Sequence, residues 1–181
     1  MRTRLRPVYT DSELQNIYSK PHSHTQFKDH ILRVAKSIEM LKEYSDYKSI
    51  ADLSAGDATI IDSLDAEIKF YGDFAPGYKL TGHIEDTIKD IPDVDLFICS
   101  ETLEHLDDPD TTLKAIRAKT KYLFVSTPKG EDNDNNVEHY WGWDDVDVKE
   151  MLIKAGFDPV VYFLLELRKD YHYDYQMWIC K

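Results

Sequence analysis

The stretch Ile50-Ala51-Asp52-Leu53-Ser54-Ala55-Gly56-Asp57-Ala58-Thr59-Ile60-Ile61 restricts the fold more than any other part of the chain. It starts as a short apolar run ending in an acid, turns through small residues that include one glycine, and continues as a pattern that opens a helix. A strand, a tight turn and a helix in that order make the repeating unit of open α/β sheets. The turn lies outside the carboxyl edge of the strand, where ligands bind, and small side chains let a ligand approach the backbone. A second apolar run, Ile68 to Gly72, ends in Asp73. A carboxylate at the tip of the neighbouring strand accepts hydrogen bonds from both hydroxyls of a ribose, so the two segments together predict a nucleoside-containing ligand.

The 181 residues suffice for one α/β domain with a proper core and are too few for two. One domain over residues 1–181 is expected, with residues 1–45 a helical segment covering the cleft. The 22 Lys and Arg against 34 Asp and Glu give a formal charge of -12, whose field repels a phosphate backbone. Non-specific nucleic-acid binding is therefore disfavoured. Cys99 and Cys180 are the only cysteines and no Cys/His cluster exists, so neither a disulfide framework nor a structural zinc is expected, and no metal ligands are assigned. No apolar run approaches the length of a membrane span, and Met1 to Arg6 lead into polar residues, so the chain reads as cytoplasmic.

Along the chain, Thr10-Asp11-Ser12-Glu13 has the form of a capping box and predicts a short helix to about Tyr18. Ser23 to Gln26 repeats the signal ahead of a longer helix, in which Phe27, Ile31, Val34, Ile38 and Leu41 share one face. Between them, Tyr18 to His24 is either a lid over a pocket or a solvated turn. The helix opened by Asp57 runs to about Leu64, with Asp57 either serving the helix dipole or touching a ligand. Strands are expected over Glu67–Gly72, Tyr78–Ile84, Val94–Cys99 and Tyr122–Ser126, the third of these the most buried. Leu113, Ile116 and Ala118 mark a helix, and Lys129 to Asn136 reads as a long mobile loop. The aromatic run Val137 to Trp143 follows, then a helix capped by Asp144 or Asp145 and closed by Gly156. Val160–Leu167 and Tyr173–Ile179 read as two adjacent antiparallel strands.

Several of these segments carry a family resemblance. Asp52-Leu53-Ser54-Ala55-Gly56-Asp57-Ala58 resembles a D-x-G-x-G-x-G turn that keeps only the middle glycine. Val94 to Pro109, through Ser100-Glu101-Thr102-Leu103-Glu104-His105, looks like the family's central strand and following loop. Ser126-Thr127-Pro128 is similar to the end of its fifth strand, and Lys154-Ala155-Gly156-Phe157 to the helix before its last hairpin. The family is the class I S-adenosylmethionine-dependent methyltransferases, small-molecule type, and the likeness spans roughly Ser49 to Tyr162. It implies an α/β, Rossmann-like, seven-stranded and mostly parallel sheet in the order 3-2-1-4-5-7-6, with the last strand antiparallel and helices on both faces. It also implies S-adenosyl-L-methionine as cofactor, held by Asp52, Ser54, Ala55, Gly56, Asp73, Phe74, Ile84, Glu85, Ser100 and Glu101. Asp73 would hold the ribose, Phe74 pack beside the adenine, and Ile84 offer its backbone amide to the adenine edge. Alanine at position 58 is a mild departure on this reading, because the glycine it replaces serves helix packing. Serine at position 54 is the greater one, since its Cβ and hydroxyl narrow the turn.

The implied reaction transfers a methyl group to an O or N nucleophile of a small molecule or a protein side chain, in a monomer or homodimer. Where a proton must leave the acceptor, His105 is the first candidate base and His139 the second, with His22 and His24 behind them. For His105 the competing role is orientation or packing against Glu101. The Tyr18–His24 and His139–Trp143 segments would together cap the substrate, although Trp141 and its neighbours fit a core equally well. A nicotinamide-binding Rossmann protein is disfavoured because the turn holds only Gly56 where a pyrophosphate needs more close backbone approach. A DNA amino-methyltransferase would carry D/N-P-P-Y/F where this chain has Ser100-Glu101-Thr102-Leu103. The remaining alternative is a non-catalytic methyltransferase-like binding or regulatory protein, which Ser54 and Ala58 keep open.

Overall fold

The computed structural model describes residues 1–19, 24, 26–44, 47–130 and 134–181. Its framework is a seven-stranded sheet of β2 (Ser49–Asp52), β3 (Ile68–Asp73), β4 (Leu80–Thr81), β5 (Val94–Ser100), β6 (Thr120–Pro128), β8 (Pro159–Leu165) and β9 (Tyr175–Cys180). They lie in the order β4-β3-β2-β5-β6-β9-β8, parallel except for β9, which runs against both neighbours. Counted along the sheet sequence alone, this is the 3-2-1-4-5-7-6 order with the seventh strand reversed.

Side chains alternate between the two faces of each strand, and the alternation divides the core. Ala51, Phe97, Cys99, Leu123 and Val125 face α4 (Ile84–Thr87), α5 (Pro109–Arg117) and α6 (Asp145–Lys154). Ile50, Leu96, Ile98 and Phe124 face α2 (Lys28–Glu43) and α3 (Thr59–Asp62). Because both faces are covered, the central strands read as continuous apolar runs rather than alternating ones.

Several expected elements differ. The strand over Tyr78–Ile84 shrinks to the two residues of β4, which approaches so closely that a Cβ at Gly72 would lie 2.8 Å from the Leu80 carbonyl oxygen. The buried stripe of α2 consists of Arg33, Val34, Ser37, Met40 and Leu41, whereas Phe27 and Ile31 are half exposed. The helix is rotated because Arg33 reaches inward to the tip of β5, donating to Ser100 Oγ at 2.7 Å. Its N-cap is Phe27 without a side-chain cap; of the expected signal from Ser23 to Gln26, Ser23 lies outside the described residues. The capping box at Thr10 and Glu13 does open α1 (Asp11–Ile17), and Asp144 with Asp147 opens α6. Two segments unassigned in the sequence, β1 (Thr3–Arg4) and β7 (Trp141–Gly142), pair antiparallel, with Arg2 and Arg4 stacked on the Trp141 ring at 3.9 and 4.5 Å. Among the described residues no helix is long and apolar enough to cross a membrane.

Candidate functional site

The carboxyl ends of β2, β3 and β5 open onto a cavity of about 710 Å3, within the ~300–1,000 Å3 range of small-ligand sites. All twelve residues assigned from the sequence line it. On one side stands Asp73, whose two carboxylate oxygens accept the Gly56 and Ala75 amides at 2.8 Å each. Each oxygen keeps a second lone pair for a ligand hydroxyl. Gly56 adopts φ +56°, and a Cβ there would meet nothing within 4 Å, so the space over the turn is open. Phe74 packs between the rings of Tyr18 and His83, with centroids 5.8 and 4.8 Å away. Ile84 stands in the first turn of α4, where no helical carbonyl is in position to accept its amide. Glu85 lines the cavity but is tied to α5, its carboxylate accepting the Thr112 hydroxyl.

The degenerate turn behaves differently from its sequence expectation. The Ser54 hydroxyl lies 2.7 Å from Thr102 Oγ1 and 3.4 Å from Asp52 Oδ1, tying the tips of β2 and β5 together while Ser54 still lines the cavity. The strained position is Ala58, at φ +61°, one of two described non-glycine residues with positive φ. The other is Glu101 at φ +51°, at the end of β5. Asp57 serves the short helix, accepting the Thr59 amide at 3.1 Å, and also lines the cavity.

Charge is concentrated at the inner end. Burial raises Asp52 to about 7, with the Asp73 charge adding to it and the Ser54 hydrogen bonds opposing. Burial also raises Glu101 against the pull of Arg33, and raises Glu104 to about 8 with the help of Glu101. Glu101 accepts the Ser126 hydroxyl at 2.8 Å and lies 4.0 Å from the Arg33 guanidinium, so it is not the partner of His105. His105 Nδ1 is 3.0 Å from the Glu138 carbonyl oxygen and 3.4 Å from the Tyr18 hydroxyl. Burial and the neighbouring His139 depress its pKa to about 3, which keeps the ring neutral. His139 is raised: burial works against its charge, but the hydrogen bond to the Asp134 carboxylate and the charge of Glu104 outweigh it. The two imidazoles meet edge to face, 4.8 Å between centroids.

No protein-family model and no curated protein matches the sequence. Solved structures do match in shape. The 1,6-didemethyltoxoflavin-N1-methyltransferase of Burkholderia thailandensis, solved with 1,6-didemethyltoxoflavin and S-adenosylhomocysteine, superposes with a TM-score of 0.68 at 13% identity over 99% of this chain and 93% of its own. This is the class I methyltransferase fold. A SAM-dependent methyltransferase of Archaeoglobus fulgidus gives 0.64 at 14% identity over 83% of this chain and 93% of its own. The magnesium protoporphyrin IX methyltransferase of Synechocystis, solved with bound SAM, gives 0.61 at 14% identity over 93% and 89%.

Within the methyltransferase fold, Tyr18 lines the cavity as its place in the expected capping segment implied, whereas Arg33, Glu138 and Tyr173, which also line it, and Glu104 and Asp134, which lie beside His105 and His139, were given no role in the sequence. Arg33 lies outside the apolar face expected for α2, and its burial in line with Ser37 and Met40 emerges only in the structure. Asp134 sits in the segment expected to be a mobile loop, yet it is buried and holds both His139 and the Tyr173 hydroxyl; residues 131–133 lie outside the described residues. Of the aromatic run, His139 and Tyr140 line the cavity, while Trp143 is core and donates to Thr127 Oγ1, and Trp141 donates to the Leu106 carbonyl. Trp141 and Trp143 therefore follow the core alternative weighed for them, with both indoles engaged in packing, and the part of the expected cap that borders the cavity is His139 and Tyr140. His24 lines the cavity, and His22 lies outside the described residues.

Proposed function

We propose that this protein is an S-adenosylmethionine-dependent methyltransferase acting on an O or N nucleophile of a small molecule or side chain. The observation that carries the reading is Asp73, a carboxylate at the tip of β3, anchored by two backbone amides and bordering an open cavity. The residues present fit an adenosyl ligand. Asp73 would accept the ribose hydroxyls, Phe74 would flank the base, and the Ile84 amide would meet its edge. Ser54, Ala55 and Gly56 would admit the ligand against the turn, and Asp52, Glu85, Ser100 and Glu101 would complete the cleft. Buried acids at Asp52 and Glu101 suit a ligand that carries positive charge.

When bound, S-adenosylmethionine supplies an electrophilic methyl group on a positively charged sulfur. The protein's task is then to hold the nucleophile in line and keep water out. Residues 1–45 serve the second purpose on this reading, since Leu14, Tyr18, Phe27 and Arg33 from α1, α2 and their connection line the cavity. The acceptor would sit against His105 and His139. Of the two, His139 is the stronger base, because Asp134 supports its protonated form while His105 is held neutral.

Single-turnover methyl transfer from isotopically labelled S-adenosylmethionine, with acceptors found by mass spectrometry of co-purified compounds, tests the assignment. His139→Ala is expected to slow the chemical step by about 10²-fold, the usual contribution of a positioned base. Full turnover in both His139→Ala and His105→Ala would remove any base role from these residues.

A further inference from the structure

We propose that Glu104, His105 and His139 form a binding site for a divalent transition-metal ion at the inner end of the cavity. One donor atom from each of the three lies within 4.8 Å of the other two. Glu104 and His105 stand on the short turn that follows β5, and His139 on the segment that leads into β7. The ligands thus come from separate segments, which is why no metal spacing is visible in the sequence.

The strongest indication is Glu104. Its side chain is 1% exposed, and one oxygen accepts the Thr127 hydroxyl at 3.0 Å. The other, Oε1, is buried with no hydrogen-bond partner among the described residues. Leaving a buried acceptor unpaired is costly, more so when it carries charge, so its position calls for a partner on the side it faces. That side holds His105, whose Nε2 is 3.9 Å away, too far for a hydrogen bond.

Both imidazoles are set to present a lone pair there. The Glu138 carbonyl can only accept, so His105 Nδ1, 3.0 Å away, carries the proton and Nε2 is the free donor. His139 Nδ1 faces the Asp134 carboxylate, which leaves Nε2 as the ligand atom; it is 3.0 Å from Asn136 Nδ2, an amide that an ion would displace. A carbonyl or carboxylate behind a histidine ring fixes its tautomer and orientation, the usual support of a metal-bound imidazole. One carboxylate and two imidazoles hold a first-row ion such as zinc or iron with positions left open, whereas magnesium and calcium prefer all-oxygen sites. Because His105 and His139 line the cavity, the open positions would face the acceptor, and with the ion bound it is the ion, not a His139 lone pair, that would promote loss of the acceptor's proton. Resting on the methyl-transfer reading, this assigns the acceptor as an oxygen compound whose hydroxyl becomes more acidic on the ion.

Titration of the full-length protein with Co2+, followed by visible absorption, and with Zn2+ by calorimetry, tests the site without any turnover. One equivalent is expected to bind, with at least about 10²-fold weaker affinity in Glu104→Gln and about 10- to 100-fold weaker affinity in Asp134→Asn, the range for loss of a supporting partner. His105→Ala, on a partly exposed turn, takes the place of Glu104→Gln should that variant not fold by circular dichroism. Absence of binding at millimolar ion, or unchanged affinity in the ligand variants, would overturn the site. S-adenosylhomocysteine binding on the same samples separates the two claims. Protein that binds it but no metal loses only the ion site, and protein that binds metal but not the nucleoside keeps the site and loses the methyl-transfer reading.

Discussion

Ala58 holds φ +61°, where the Cβ of an L-residue crowds the following carbonyl at a cost of roughly 1–2 kcal/mol. Replacing it with glycine relieves that strain but loosens the unfolded chain, so Ala58→Gly is expected to stabilise the protein by about 1 kcal/mol in urea denaturation. Equal or lower stability would mean that the turn depends on the methyl group. At Asp52 the effect is electrostatic. Its folded pKa of about 7 lies above the ordinary 3.8, so the native state binds more protons than the unfolded chain in between. Stability contributed by the protonated form is lost as pH rises from about 4 to about 7, and the loss is complete above that. Asp52→Asn should therefore narrow the difference in melting temperature between pH 5 and pH 8. A pH response identical to that of the parent protein would show that Asp52 titrates normally.

Among the elements, those whose residues follow one local rule were legible in the sequence. The strands β2, β5 and β6 are apolar runs because both faces of the sheet are covered there, Thr10 announces α1 through its capping box, and the acids at positions 144 and 145 announce α6, which Asp144 caps. Asp144→Ala should cost about 1 kcal/mol, measured by chemical denaturation, since it removes the acceptor for the Asp147 amide. No loss would mean that Asp145 takes over the cap. What the sequence hid depends on contacts between distant segments. The face of α2 is set by Arg33 reaching Ser100, and β1 exists only because Trp141 and Gly142 offer it an edge. Asp134 is held by Tyr173 and Arg6 from distant segments as well as by His139 and the Asn136 amide close by.

For the whole molecule, the side of the cavity around Asp73 was readable because it is built from the tips of three adjacent strands, β3, β2 and β5, each followed by a polar or small-residue turn visible in the sequence. The opposite side was readable only as separate candidates such as His105 and His139, since it joins α1, α2, the turn after β5 and the segment around His139, four places with no common spacing. The excess of acids also gains a local meaning, as Asp52, Asp73 and Glu101 line one cavity with Arg33, which lies 4.0 Å from Glu101. Calorimetric titration with S-adenosylmethionine and S-adenosylhomocysteine, run on the natural protein and on Asp73→Asn, bears most directly on the central claim. One equivalent of either nucleoside should bind to the natural protein, and Asp73→Asn should bind about 10- to 100-fold more weakly, as expected for lost hydrogen bonds to a charged group. No heat of binding at millimolar ligand, or the same affinity in both proteins, would contradict it.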